Sequence, residues 1–418
     1  MTDRQGSGLF RLLPLYIVIF IGFLGYSLMI TIMTPLILEN TGGILSSFPF
    51  DTDRTIALGI VLAIYPLGQF FGSPIIGAIS DGFGRRPVLL VSLLITTFFY
   101  AVFAYSLEIK NLTLFMAAAF ITGLAEGNIV IAQSSVSDVT TVKNRTRLFA
   151  YISLSASGAF LIGPLVGGKL ADKDLVPWFS YATPYWAVFI LLVLTTIFTY
   201  ALFRETRPPE TRTGVNYREA VTSFLAVFSP GKLRVIYLIN FLVYFAIFGF
   251  FRAFPMYLVD EFGMGVSKVS NFIAWNAVPV VIASIWLTGF LAMFYTPRTI
   301  TLFSMILFAI FMVFVIVPQP EPALWVTIFL PGLALAVALP ASASMLSLKA
   351  GLDEQGSVLG NNLSLEVAAE VASGLGAGFL AAMFVRLPLV VFSIIALLAA
   401  LMLIFTVSGR EGREGRGV

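Results

Sequence analysis

The chain has no cysteine and no histidine, and only 11% of its 418 residues are charged. The lack of cysteine excludes disulfides and thiolate metal sites, and we predict neither a metal nor a cofactor. The lack of histidine excludes a histidine relay, so any step that handles protons must use carboxylates. Soluble domains carry about a quarter charged residues. With 58% hydrophobic residues, most of this chain is therefore expected to face lipid.

Several other classes of protein are disfavoured by what the sequence does not contain. The net charge of +3 is too small to indicate a nucleic-acid partner. There is no phosphate-binding loop of the Gly-x-x-x-x-Gly-Lys type and no nucleophile paired with a base, so neither an enzyme nor an ATP-driven pump is expected.

Twelve apolar segments are long enough to cross a bilayer, which requires about 20 residues. They cover residues 12–38, 55–80, 87–107, 112–136, 146–170, 182–203, 233–258, 268–294, 298–317, 322–348, 355–383 and 387–407. The first is too long for a signal-peptide core and is interpreted as a retained span. The sequence thus predicts an all-α membrane protein with 12 transmembrane helices.

Lysine and arginine are distributed unevenly between the loops. Of the 25, 18 fall on the side of the N-terminus and six on the other, which predicts that both termini are cytoplasmic. The longest inside loop divides the chain into an N-terminal bundle (1–203), a linker with a short amphipathic helix (204–232) and a C-terminal bundle (233–407). A glycine-rich charged tail, 408–418, is expected to be disordered.

The loop after the second span combines an acid, glycines and arginines in one tight turn. Its characteristic residues are Gly77, Asp81, Gly84, Arg85 and Arg86. The pattern resembles the signature between helices two and three of the major facilitator superfamily of secondary transporters, although a plain topology loop is the alternative. The spacing recurs from Gly289 to Arg298, with Met293 in place of the acid.

That resemblance implies two pseudo-symmetric six-helix bundles, the major facilitator fold. It also implies a conformational latch, in which Asp81 faces the region from Glu354 to Gly360 and Arg85 pairs with Asp138.

A second motif lies in the fifth span and consists of Gly158, Gly163, Pro164, Gly167 and Gly168. Small residues at this spacing allow helices to approach closely in a membrane. The motif is similar to that of the drug:proton antiporters, and residues 137–140 with 144–145 resemble tetracycline-efflux proteins. A generic kinked packing helix is the alternative, and Ala119 stands where many proton-coupled members carry an arginine.

Charged residues inside the spans are functional candidates because a charge at the bilayer centre is costly. Glu126, Glu366 and Glu370 are candidates for proton coupling, and the last two share one helix face. Arg252 is a substrate-cavity candidate or a structural partner of one acid. The other cavity candidates are polar or have a hydrogen-bonding tip, and comprise Tyr26, Asn128, Gln133, Asn240, Tyr244, Trp275, Asn276 and Asn362.

The resulting hypothesis is a monomeric inner-membrane transporter that works by alternating access and has the lipid bilayer, protons and a small amphipathic organic molecule as partners. Proton-coupled export in the manner of a drug antiporter is the first expectation. Uptake of a metabolite or siderophore by symport is an alternative that Arg252 favours slightly. A non-transporting receptor or sensor on the same fold is an alternative from another class.

Overall fold

A computed structural model describes residues 4–139, 142–207, 233–317, 320–349 and 355–407. Within these ranges the chain is helical apart from short connections. It forms two compact units. Unit 1 contains the described residues up to Arg207 together with 264–274, and unit 2 contains 233–263 and the described residues from Trp275 onward. The predicted linker helix, 216–228, and the tail, 408–418, lie outside the described residues.

Seven helices belong to the first half of the chain. They are α1 (Arg4–Leu38), α2 (Arg54–Phe83), α3 (Arg85–Glu108), α4 (Leu112–Ala125), α5 (Asn128–Val139), α6 (Val142–Leu170) and α7 (Thr183–Leu202). A 3-10 helix, Thr41–Ser47, connects α1 to α2. Side chains cap the starts of two of these helices. The Asp53 carboxylate accepts from the backbone N–H of Thr55 at α2, and Asn111 Oδ1 accepts from that of Leu114 at α4.

The second half continues with a further set of helices. They are α8 (Arg234–Phe262), α9 (Val266–Ile282), α10 (Thr288–Ala292), α11 (Pro297–Ile316), α12 (Glu321–Thr327), α13 (Phe329–Lys349), α14 (Gln355–Met383) and α15 (Leu387–Val407). A π-helical turn, Ala283–Leu287, joins α9 directly to α10.

The membrane-spanning segments follow from this order. Eleven helical segments of the described chain are long and apolar enough to cross a membrane, and α9 is a shorter apolar helix. Because the π-helical turn continues α9 into α10, residues 266–292 form the remaining segment. The predicted all-α membrane fold with twelve segments is confirmed.

Helices α2 and α4 pack with their backbones in contact. A Cβ atom built on Gly72 would lie 2.1 Å from the carbonyl oxygen of Leu124, and one built on Gly68 would lie 2.2 Å from that of Phe120. Only glycine fits at such positions, since any side chain would have to push the two helices apart. This close approach fixes the position of the end of α4, where Glu126 follows.

Candidate functional site

The fourth membrane segment is broken between α4 and α5, and Glu126 lies in the break. The backbone N–H of Gly127 donates to the carbonyl oxygen of Ala125 over 2.9 Å. Glu126 between them has φ −86° and ψ 64°, which is the geometry of an inverse γ-turn. Gly127 has no room for a side chain, because a Cβ there would lie 2.2 Å from Cγ2 of Ile76. The segment predicted as one span, 112–136, thus contains two helices.

Asn128 is the first residue of α5 and is hydrogen-bonded to α3. Its Oδ1 lies 2.7 Å from Oγ of Ser92, which also lies 2.6 Å from the carbonyl oxygen of Ala125. Both side chains are 2% exposed. Asn128, a predicted cavity residue, is therefore connected through Ser92 to the backbone turn that carries Glu126. Gln133, on the same helix, is half-buried.

The Glu126 side chain is enclosed in the core of unit 1. It is 4% exposed, and its Oε1 has no hydrogen-bond partner among the described residues. A Cβ built on Gly22 of α1 would lie 2.9 Å from this oxygen. Tyr26, one helical turn along α1, stacks on Tyr65 with ring centroids 5.0 Å apart and meets Phe160 edge-on at 6.3 Å. The acid thus lies beside an aromatic cluster.

In unit 2, α8 and α14 share a buried ladder of polar side chains. Asn240 Nδ2 donates to Oδ1 of Asn362 over 2.8 Å and to the carbonyl oxygen of Ser342 over 3.2 Å. Asn362 Nδ2 donates to Oη of Tyr244 over 2.6 Å. Three cavity candidates, Asn240, Tyr244 and Asn362, therefore form one network.

The ladder continues with charged residues. Arg252 Nη2 lies 2.9 Å from Oε1 of Glu370 in a buried ion pair. Glu366, one turn before Glu370, is half-buried and has no hydrogen bond or ion pair among the described residues; it interacts electrostatically with Tyr244 and Glu370. The two acids that the sequence could not tell apart therefore differ, because the arginine contacts Glu370.

Trp275 and Asn276 contact the region where α12 meets α13. The indole N–H of Trp275 donates to the carbonyl oxygen of Trp325 over 2.6 Å, and Asn276 Nδ2 donates to that of Ile328 over 2.8 Å. Both side chains therefore satisfy backbone carbonyls near a helix end.

Arg85, the first residue of α3, contacts three side chains. It is 4% exposed, and its Nε lies 3.1 Å from Oδ2 of Asp138 at the end of α5. Its Nη2 lies 2.7 Å from Oδ1 of Asp81, and its Nη1 donates to Oγ of Ser80 over 2.6 Å. Gly84, with φ 104°, has a backbone conformation that favours glycine. Three of the predicted latch residues, Asp81, Arg85 and Asp138, thus form one cluster. The Arg86 guanidinium instead donates to the carbonyl oxygen of Tyr200.

Two residues of this cluster were not predicted from the sequence. The carboxylate of Glu205 accepts the backbone N–H groups of Arg85 and Arg86 at 2.9 and 3.2 Å, and so caps α3. Arg207 forms a second ion pair with Asp81. The sequence assigned both residues to the linker, although the run Arg-Glu-Thr-Arg directly after α7 was a signal. Glu354, where the expected neighbour of Asp81 begins, lies outside the described residues.

The glycine motif of the fifth span packs α6 closely against α1. A Cβ built on Gly163 would lie 2.0 Å from Oγ of Ser27, and one built on Gly167 would lie 1.8 Å from Cδ2 of Leu28. Gly158 has more room, since the nearest atom to such a Cβ is 3.7 Å away. Pro164 lies inside α6, between the close contacts. A Cβ on Gly168 would lie 2.1 Å from Oγ of Ser270, in the 264–274 segment of unit 1.

Among curated proteins, the chain is 35% identical over 182 residues to the class H tetracycline resistance protein of Pasteurella multocida. It is 28% identical over 267 residues to multidrug resistance protein 1 of Bacillus subtilis. These matches cover 41% and 62% of this chain, and 43% and 61% of the two relatives. The matched segments thus span less than two thirds of each relative.

Solved structures share the fold. The human organic anion transporter MFSD10 superposes with a TM-score of 0.70 at 20% identity, covering 94% of this chain and 98% of that one. A D-xylose-proton symporter superposes with a TM-score of 0.75 at 15% identity, covering 94% and 97%. The model of the Major Facilitator Superfamily matches residues 15–265 and 236–417. The chain therefore belongs to the Major Facilitator Superfamily, and this membership supports a transporter rather than an enzyme.

Proposed function

We propose that the protein exports small amphipathic organic molecules by proton antiport. The observation that carries the proposal is the buried carboxyl of Glu126, whose Oε1 has no hydrogen-bond partner among the described residues. A charge at the bilayer centre costs about 2.5–3.5 kcal/mol on insertion scales, so an acid there indicates a functional role. The resistance to tetracycline and to multiple drugs in the names of two relatives supports export.

In unit 2 we assign proton coupling to Glu366 rather than to Glu370. Arg252 offsets the charge of Glu370, whereas no described cation pairs with Glu366. The phenol of Tyr244 and the amides beside it would bind the polar part of a substrate.

The cluster around Arg85 is proposed as the latch that stabilises one state of the transport cycle. Asp81 and Asp138 both lie within 3.1 Å of its guanidinium, so breaking the cluster separates opposite charges. A proton or substrate that binds one state more tightly shifts the population toward that state. The ion pairs of the latch would set the populations of the two states before binding.

The alternative of uptake was slightly favoured by Arg252, because an arginine in a cavity suits an anionic substrate. Its contact with Glu370 offsets the positive charge that would attract such an anion, so the arrangement supports export better. We further propose that the protein is a monomer in the inner membrane. Both termini would lie in the cytoplasm, because most lysine and arginine residues fall on the side of the N-terminus.

The proposal is tested with purified protein in liposomes that contain a pH-sensitive dye. Adding tetracycline or a fluorescent amphipathic drug should drive proton movement in the parent protein. We expect Glu126→Gln and Glu366→Gln to lose this movement. Glu108→Gln is the matched control, since Glu108 is exposed at the end of α3 and accepts a hydrogen bond from the indole N–H of Trp186. The proposal would be refuted if the rate of substrate flux were the same with and without an imposed proton gradient.

A further inference from the structure

We infer that the break between α4 and α5 is a sodium site, with Glu126 as its charged ligand, where sodium and a proton compete. The inference rests on the proposed function only in treating Glu126 as an ion-coupling group. Cation binding itself is measurable without transport.

Three buried oxygens near the break have no hydrogen-bond partner among the described residues. They are Oε1 of Glu126 and the hydroxyls of Thr122 and Thr96. Thr122 lies one helical turn before Glu126 on α4, and Thr96 lies one turn after Ser92 on α3. Since nearly all buried polar groups in native proteins are paired, three such oxygens on adjoining turns indicate a bound species.

Glu126 and Tyr100 of α3 both pack against α1. A Cβ on Gly22 would lie 2.9 Å from Oε1 of Glu126, and a Cβ on Gly25 would lie 2.0 Å from Oη of Tyr100. Tyr100 follows Thr96 by one turn on α3, just as Gly25 follows Gly22 by about one turn on α1. Ser92 lies beside the break, since its Oγ is 2.6 Å from the carbonyl oxygen of Ala125. Thr96 on α3 and Thr122 on α4 each lie one turn from it, both toward the short connection between the two helices.

The chemistry of the break suits a hard cation. Ser92 Oγ lies within 2.7 Å of both Asn128 Oδ1 and the carbonyl oxygen of Ala125, so one hydroxyl proton serves two acceptor oxygens. The C-terminal end of α4 adds partial negative charge. Unwound carbonyls and the C-terminal ends of half-helices coordinate sodium or protons in secondary transporters, and hard cations prefer oxygen ligands.

Charge and size select a small monovalent ion. Tyr26, Tyr65 and Tyr100 are the titratable groups that pack at this level from α1, α2 and α3, and no ion pair to Glu126 forms within the described chain. One carboxylate matches one positive charge. Because Oε1 is buried directly against the backbone of Gly22, a bulky organic ammonium group does not fit there.

The test is thermal unfolding of the purified protein in detergent, with sodium chloride replaced by choline chloride at constant ionic strength. We expect a saturable rise in midpoint temperature with sodium alone. Where a proton competes, the half-saturating sodium concentration should rise about tenfold for each unit of decrease in pH. Glu126→Gln should abolish the effect.

The hydroxyl ligands have a matched control on the same helix. Thr96→Val should raise the half-saturating sodium concentration about tenfold, as expected for the loss of one ligand. Thr97→Val should leave it unchanged, because that hydroxyl bonds the carbonyl oxygen of Leu93 over 2.7 Å. Binding of radioactive sodium to the parent protein, displaced by acid, provides a readout if a variant fails to fold.

Equal effects of sodium and choline, or equal losses in Thr96→Val and Thr97→Val, would overturn the inference. Sodium binding without proton-driven flux would refute only the proposed antiport. Proton-driven flux without sodium binding would refute only the sodium site.

Discussion

The ion pair between Arg252 and Glu370 allows a quantitative prediction about unit 2. Arg252 is 1% exposed and Glu370 is 8% exposed, and their charged atoms lie 2.9 Å apart. Glu370→Gln keeps the shape of the side chain but removes the charge that faces the guanidinium. Breaking a buried pair on one side costs about 3–5 kcal/mol, since the remaining charge stays buried without that compensation. We expect the lower end of this range, because Glu366 lies one turn away and offsets part of the charge.

The assay is unfolding of the purified variants in detergent by increasing denaturant, followed by tryptophan fluorescence. The double variant Arg252→Met/Glu370→Met removes both charges together, and replacing a buried pair by apolar groups is often close to neutral. We therefore expect the double variant to be more stable than Arg252→Met alone or Glu370→Met alone. The double-mutant cycle of these two substitutions should give a favourable interaction energy.

Glu366→Gln is the matched comparison on α14, because it removes an acid that has no ion pair among the described residues. It should leave the free energy of unfolding near that of the parent while abolishing proton coupling. If Glu370→Gln unfolds within about 0.5 kcal/mol of the parent, the range that ordinary surface substitutions cover, the pair is not structural and the assignment of coupling to Glu366 loses its basis.

Two further predictions concern packing and helix capping in unit 1. Gly72→Ala should destabilise the protein by about 1–3 kcal/mol, because the new Cβ would meet the carbonyl oxygen of Leu124. Gly158→Ala should be nearly neutral, since the atom nearest to its new Cβ would be 3.7 Å away. Denaturant unfolding of the two variants compares them directly. Glu205→Ala should cost about 1 kcal/mol by uncapping α3. The loss should shrink in high salt, and a loss independent of salt would contradict a charge-assisted cap.

The twelve segments could be predicted because hydropathy alone separates lipid-facing helices from loops. The break at Glu126 could not, since hydropathy averaged over 112–136 hides one turn and the turn contains no proline. Its cause is non-local: Gly127 is required by its contact with Ile76 on α2, and Asn128 bonds to Ser92 on α3. Such contacts are invisible to a local pattern.

The candidate sites were predictable as residue types but not as partners. The spacing of Glu366 and Glu370 placed them on one face of a helix, yet only the structure shows which of them meets Arg252, 118 residues earlier than Glu370. Glu205 and Arg207 were missed because charges in a polar linker usually face solvent. Their contacts depend on where the end of α7 lies relative to the loop after α2, which sequence spacing does not specify.

The fourth and tenth segments occupy equivalent places in the two six-helix repeats, and both are interrupted. In the tenth, α12 ends at Thr327, whose carbonyl cannot receive an N–H from Pro331, and Asn276 bonds the next carbonyl, that of Ile328. In the fourth segment, Asn128 follows the turn at Glu126 by two residues, and its Oδ1 accepts a hydrogen bond from the Ser92 hydroxyl.

An asparagine thus stabilises each break, but the acid differs between the units. Glu126 lies in the backbone turn itself, so adding or removing its charge acts directly on the geometry between α4 and α5. Glu366 lies within the continuous helix α14, where a change of charge acts on side chains such as Tyr244. Asp138 is the last residue but one of α5, so we propose that a change of charge at Glu126 reaches the cluster around Arg85 along this one short helix. If ions bind at these acids as proposed, binding in unit 1 would act on the proposed latch through the backbone. Binding in unit 2 would instead act on the ladder of polar side chains.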